Sequence, residues 1–132
     1  MRLAISADIP ALLKMGRAFH LAAQPEWPWS AEGFADTLDE FIEVGFVAIT
    51  GGGFIAGMLA PMPLNPEWLV AHEILWFAED GSGARLQGAF RDWAKDQQAD
   101  EIKWSCRSSN ERVQRFYSRF AKPCETVFSE IL

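Results

Sequence analysis

A chain of 132 residues, 49% hydrophobic and 23% charged, is the size of one domain and carries too much apolar surface to stay disordered. Its 10 glycines and 7 prolines exclude collagen-like and low-complexity chains. A net charge of −6, from 12 basic and 18 acidic side chains, argues against the cationic surface that nucleic-acid binding needs. Nine of the 12 cations fall in residues 67–132, so an anionic ligand is expected there.

Two cysteines, Cys106 and Cys124, do not make a disulfide framework. The beginning shows Arg2 and Asp8 and no apolar run, so no signal peptide is expected. The 23 uncharged residues from Val44 to Pro66 could span a bilayer, but Gly51-Gly52-Gly53 interrupts them and Pro61, Pro63 and Pro66 break their end. Two short strands around a glycine turn fit better. The expectation is a single domain over residues 1–132, soluble and cytoplasmic, without membrane contact.

Along the chain, Arg2 to Ser6 reads as a strand, with Ser6 placed to cap the first helix. Ile9, Leu12, Leu13, Gly16 and Phe19 recur at helical spacing, and Pro10 is tolerable in a first turn. Pro25 and Pro28 interrupt regular structure. Ser30 then caps a second helix with Phe34, Leu38, Phe41 and Ile42 on one face, closed by Gly45. Phe46–Ile49 and Phe54–Ala60 read as strands, Pro61 to Pro66 as a loop, and Leu69–Phe77 as a central strand. Leu86, Phe90, Trp93 and Ala94 mark a third helix, and Ile102, Trp104 and Cys106 alternate as a strand. Val113, Phe116, Tyr117 and Phe120 mark a fourth helix, and Val127–Leu132 reads as a closing strand. The order β-α-α-β-β-β-α-β-α-β predicts an α+β fold, a mixed central sheet with about four helices. Antiparallel pairing is expected early, where turns are short, and parallel pairing late, across helices.

The clearest chemical signal is Gly81-Ser82-Gly83-Ala84 between a strand and a helix. Small residues let backbone amides approach a phosphate, and the helix's unpaired first-turn amides attract it. A plain turn has the same residues; neither the Walker pattern nor G-x-G-x-x-G is complete, with Leu86 at the third glycine position. Glu73 stands inside an apolar strand, where burial would raise its pKa toward that of a useful base. A structural ion pair is its plainer role. By strand alternation His72 faces the other way, and it and His20 are lesser candidates for a base. Tyr117 is the only tyrosine among ten phenylalanines, which singles out its hydroxyl, although it can simply cap a core. Trp27, Trp29 and Trp68 line a pocket or cover the core. Arg107, Arg112, Arg115 and Arg119 read as a solvated face or as steering for a phosphate. No histidine, cysteine or carboxylate spacing suggests a metal.

The ordered set of motifs resembles the GNAT superfamily of acyl-CoA-dependent N-acyltransferases over essentially the whole chain. A-I-S-A-D-I-P-A-L-L-K-M is similar to its opening strand and helix, Gly81 and Gly83 to its R/Q-x-x-G-x-G/A loop, N-E-R-V-Q-R-F-Y-S-R-F to its late helix, and E-T-V-F-S-E-I-L to its closing strand. H-E-I-L-W-F and Y-S-R-F-A-K-P-C-E-T-V-F resemble small members often carried by tailed phages. Ala78 stands where the motif has Arg or Gln, Glu79 and Asp80 flank the glycines, and Ala121-Lys122 replaces a Gly-aromatic pair.

The resemblance implies an N-acetyltransferase that moves an acetyl group from acetyl-CoA, its co-substrate, to an amine by direct attack. Tyr117 would protonate the departing thiolate, and Glu73 would serve as base. Leu75, Trp76 and Phe77 would pair through their backbone with the pantetheine arm. Gly81, Ser82, Gly83, Ala84 and Arg85 would hold the pyrophosphate, with Asn110 also on the cofactor. It further implies a possible homodimer. The alternatives are a non-catalytic module of the same fold that binds acyl-CoA or a protein partner, and a structural or host-interaction protein that kept only the fold.

Overall fold

Ser30 opens a helix as expected: its Oγ accepts the Gly33 N–H at 3.1 Å and satisfies a first-turn donor. In the computed structural model, which describes residues 1–132, this helix is α2 (Ala31–Val44), following α1 (Ile9–Ala23). Pro10 lies in the first turn of α1, and the Gly45 N–H closes α2 on the Phe41 carbonyl. The strands are β1 (Arg2–Leu3), β2 (Phe46–Ile49), β3 (Gly53–Met62), β4 (Asn65–Ala78) and β5 (Glu101–Lys103). The later helices are α3 (Gly83–Asp96) and α4 (Glu111–Tyr117).

The five strands lie in sequence order, antiparallel from β1 to β4 and parallel between β4 and β5. The fold is therefore α+β around a mixed sheet. On one face, Leu12 of α1 with Leu38 and Phe41 of α2 pack on Val47, Ile49 and Phe54. On the other, Leu86, Phe90 and Ala94 of α3 pack on Phe46, Ala48, Ile55 and Ala71. Leu12, Leu38, Phe54, Ile55, Leu86 and Phe90 are almost completely withdrawn from water, each contributing about 1.5–3 kcal/mol of apolar transfer.

Four expectations change. Ser6 belongs to a short 3-10 turn (Ser6–Asp8) and caps nothing; Asp8 instead accepts the Ile5 N–H and pairs with Arg2. The Pro61–Pro66 loop is mostly strand, because the β3–β4 hairpin overhangs β2 and β5 and both Pro61 and Pro66 stand where no outer strand needs an N–H. The strand expected through Cys106 ends at Lys103, since Ser105 turns its N–H and hydroxyl onto Glu73 instead of continuing the ladder. The closing strand over Val127–Leu132 is absent: residues 121–132 form no ladder, and Phe128 is 90% exposed. Strand-like alternation without an adjoining edge makes no hydrogen bonds.

β4 carries one extra residue against β3. Ala56 faces Leu75 and Gly57 faces Glu73, which leaves Ile74 without a partner and exposed. Strict alternation would group Glu73 with Leu75 and Phe77. The bulge instead puts Leu75 and Phe77 against the α1–α2 cluster and Trp76 against the α3 cluster, on the side to which Glu73 and Ala71 turn. Gly57 sits at this bulge because a Cβ there would lie 2.3 Å from the His72 carbonyl and 2.5 Å from the Phe90 ring. Gly57→Ala should therefore lose about 1–3 kcal/mol by overpacking, measured as a drop in urea midpoint at unchanged m-value.

Candidate active site

Glu73 and Tyr117, 44 positions apart, meet inside the protein: the Tyr117 hydroxyl donates to Glu73 Oε2 at 2.9 Å. Glu73 is 4% exposed and Tyr117 8%. The tyrosine comes from the end of α4, whose start is capped by Asn110 Oδ1 accepting the Val113 N–H. Its ring lies 5.7 Å from both Trp76 and Trp104, inclined by 29° and 31°. Phe116 and Phe120 complete the aromatic packing.

Ser105 completes the contact around the carboxylate. Its N–H donates to Glu73 Oε2 at 3.2 Å and its Oγ to the Glu73 carbonyl at 3.1 Å. Oε1 makes no hydrogen bond, yet it is not among the polar atoms sealed from solvent without a partner. The carboxylate thus has one committed oxygen and one free oxygen. Burial pushes the Glu73 carboxyl up to about 7, against the opposing pull of the Tyr117 and Ser105 hydrogen bonds. Burial raises the Tyr117 hydroxyl far above its ordinary value, and the neighbouring Glu73 charge adds to this. The Cys106 thiol is also raised, first by burial and then by Glu73.

β5 leaves β4 at this point. Their parallel ladder covers only Val70, Ala71 and His72, so β4 from Glu73 to Ala78 has no strand on its β5 side. Leu75, Trp76 and Phe77, expected to offer backbone groups to a ligand, lie along this open edge. The edge runs into the glycine loop, where Gly81 takes a φ of +76°. Beyond it the N–H groups of Gly83, Ala84 and Arg85 stand free in the first turn of α3.

Ser82 differs from expectation as a ligand donor. Its N–H donates to Asp80 Oδ1 at 3.0 Å, and its hydroxyl is bonded to the same oxygen. Asp80 Oδ2 accepts from Thr50 Oγ1 at 2.7 Å and from the Gly52 N–H at 3.0 Å. The bonds from Ser82, then Thr50, hold the Asp80 carboxyl far below the ordinary range. Asp80 therefore braces the glycine loop against the β2–β3 turn.

The other candidates lie apart. His72 pairs with Met58 on the α1–α2 face, as alternation predicts. His20 Nε2 donates to the Trp27 carbonyl at 2.9 Å and packs against Trp27 and Trp29, holding the α1–α2 loop. Trp68 Nε1 reaches Glu101 at the far end of β5. Arg107, Arg112, Arg115 and Arg119 are exposed, and only Arg115 has an ion pair, with Glu111 at 3.8 Å. Two surface depressions, of about 680 and 730 Å³, lie between the β1–β2 edge and α3 and between α1 and the β2–β3 turn; neither is lined by Glu73 or Tyr117. Ser105, Trp104 and the bracing role of Asp80 escape a reading of the sequence. Ser105 has only its place at a strand end to mark it, and Asp80 reads as repulsion beside a phosphate loop.

No protein-family model matches the sequence, and no curated protein matches it. Solved structures do. A ribosomal-protein-alanine N-acetyltransferase from Brucella melitensis biovar Abortus superposes with a TM-score of 0.70 at 13% identity, over 98% of this chain and 95% of that one. An aminoglycoside acetyltransferase from an uncultured soil metagenomic sample gives 0.71 at 15% identity, over 99% and 94%. An acetyltransferase from Trypanosoma brucei gives 0.68 at 14%, over 99% and 97%. The chain has the GNAT fold of these acetyltransferases.

Because the folded protein binds the Glu73 proton more tightly than the unfolded chain does, stability falls as pH rises from about 4.5 to about 7. Glu73→Gln keeps the shape and removes the titration. Relative to this variant, the parent should lose about 3 kcal/mol between pH 4 and pH 8, read from urea midpoints at the two pH values. A constant gap between the two proteins would mean that Glu73 is not held protonated by the fold.

Proposed function

We propose that the protein transfers an acetyl group from acetyl-CoA to an amine by direct attack on the thioester. The observation that carries this reading is the open β4 edge, with Glu73 at one end and the free first-turn amides of α3 at the other. In this reading the pantetheine arm lies along the backbone of Leu75, Trp76 and Phe77. The pyrophosphate is held by the amides of Gly81, Gly83, Ala84 and Arg85, where the helix dipole is positive. Ser82 serves through Asp80, and Asn110 serves by setting the start of α4, with its Nδ2 left for the cofactor. Glu73 takes the amine's proton at Oε1, being half-ionised near neutrality.

Two of the similar structures act on amines by name, an aminoglycoside and a ribosomal-protein alanine, which supports an amine as acceptor. We place the protein in the cytoplasm, in keeping with two exposed, unpaired thiols, and allow for a homodimer. No helix is long and apolar enough to cross a membrane. A second reading, an acyl-CoA-binding module without chemistry, is favoured by Ala78 at the motif's Arg/Gln position and by the Asp80 carboxylate beside the loop.

Calorimetric titration with acetyl-CoA, followed by thiol release with an aminoglycoside and an N-terminal alanine peptide as acceptors, tests both readings. Binding with turnover supports the enzyme, and binding without turnover across an amine panel supports the module. Ala84→Asp adds a negative charge among the free amides at an exposed position, where an acidic residue suits a helix start. It should weaken acetyl-CoA binding tenfold or more, by about 1.4 kcal/mol, without lowering Tm. It is a cleaner probe than Gly83→Asp, whose Cβ would press on the Trp76 ring at 3.1 Å. Unchanged affinity in Ala84→Asp would move the phosphate site elsewhere.

A further inference from the structure

We propose that Tyr117 acts on the reaction through Glu73, orienting the carboxylate and favouring its ionised form, and does not donate a proton to the departing thiolate. The inference rests on the acetyl-transfer reading. A phenol has one proton. The protein offers it two acceptors, Glu73 Oε2 at 2.9 Å on a buried side chain and the half-buried Ser105 carbonyl at 3.3 Å. The ring sits between neighbours on several sides, Trp76, Trp104, Phe116 and Phe120, and the residue is 8% exposed. Swinging the hydroxyl outward would break that packing and leave Glu73 with the Ser105 N–H as its remaining donor.

Glu73 depends on this bond. It has no ion pair to stabilise its charge. The titratable groups that face it are Tyr117 from α4 and Cys106 from the segment after β5, and neither is a cation. A hydrogen bond to the ionised form favours that form, so the hydroxyl offsets part of the burial that opposes ionisation. It also fixes which oxygen is committed, turning Oε1 outward.

The protons balance without Tyr117. The amine nitrogen bonds to the thioester carbon as the C–S bond breaks. The nitrogen's proton passes to Glu73 Oε1 and from there to solvent. The thiolate leaves with the C–S electron pair and is protonated by water; a thiol with a pKa of about 8.5 needs little help to depart near neutral pH.

The test is the pH dependence of kcat/KM in the parent and Tyr117→Phe, with an acceptor found by the thiol-release panel. In the parent the acid limb should have its midpoint near pH 7. In Tyr117→Phe it should rise by about one unit, so that the rate falls about fivefold at pH 7 and recovers as the pH passes 9. NMR titration of the glutamate side-chain carboxyls should show the same rise without turnover. A proton donor to the thiolate would behave differently, with the plateau down by ~10²–10⁴-fold and the limb unmoved. That result overturns the proposal, as does a carboxyl midpoint that stays in place.

If Tyr117→Phe unfolds at high pH, the double variant Glu73→Gln/Tyr117→Phe has no buried charge to support. It should be no slower than Glu73→Gln alone, because Tyr117 has lost the group it acts through. A further loss in the double variant comparable to that of an acid catalyst overturns the inference. Failure of the parent to release thiol with any amine overturns acetyl transfer itself, and this role with it. That outcome is distinct from turnover with a lowered plateau.

Discussion

One extra residue in β4 decides what Glu73 can touch. With Ile74 bulged out, Glu73 and Trp76 turn to the same side of the sheet, and both reach Tyr117. The bulge requires Gly57 opposite, because the β4 backbone and the Phe90 ring close over that point. It also precedes the stretch of β4 that β5 does not follow. Glu73, its hydroxyl partner and the open strand edge thus share one local irregularity, in keeping with the frequency of bulges beside active sites.

Two carboxylates of this chain show how environment, not residue type, sets proton affinity. Asp80 has four donors around it and remains ionised. Glu73 has two donors on one oxygen and almost no water, and desolvation outweighs them. Asp80 is a brace, a fixed charge that ties one turn to another. Glu73 can change charge near neutral pH, at a cost in stability that a purely structural residue would not be expected to retain.

The glycine loop carries a tension between shape and charge. Its positive φ at Gly81 and the free amides of α3 suit an anion. Its own acidic residue holds it in that shape, and Arg85 is the basic side chain of that first turn. What the loop offers an anion is preorganised amides more than net charge, in a chain of −6 overall.

Much of the fold was legible in the sequence because it rests on local rules. The Ser30 cap, the Gly45 stop, the order of elements through α4 and the antiparallel-then-parallel sheet all follow from spacing, turns and connection length. So did Glu73, Tyr117 and the Gly81–Arg85 loop as places of interest, since a carboxylate in an apolar strand and a solitary tyrosine stand out by type. Local rules failed where a partner edge had to be present: Val127–Leu132 alternates like a strand, and nothing lies beside it. The bulge at Ile74, the departure of Ser105 from β5, the Asp80 brace and the bond between Glu73 and Tyr117 belong to tertiary structure alone. Each joins groups through space, across 28 to 44 residues where the pair is a hydrogen bond to Glu73 or Asp80 from another element. No periodicity along a chain encodes which of two facing strands will carry one residue more than the other.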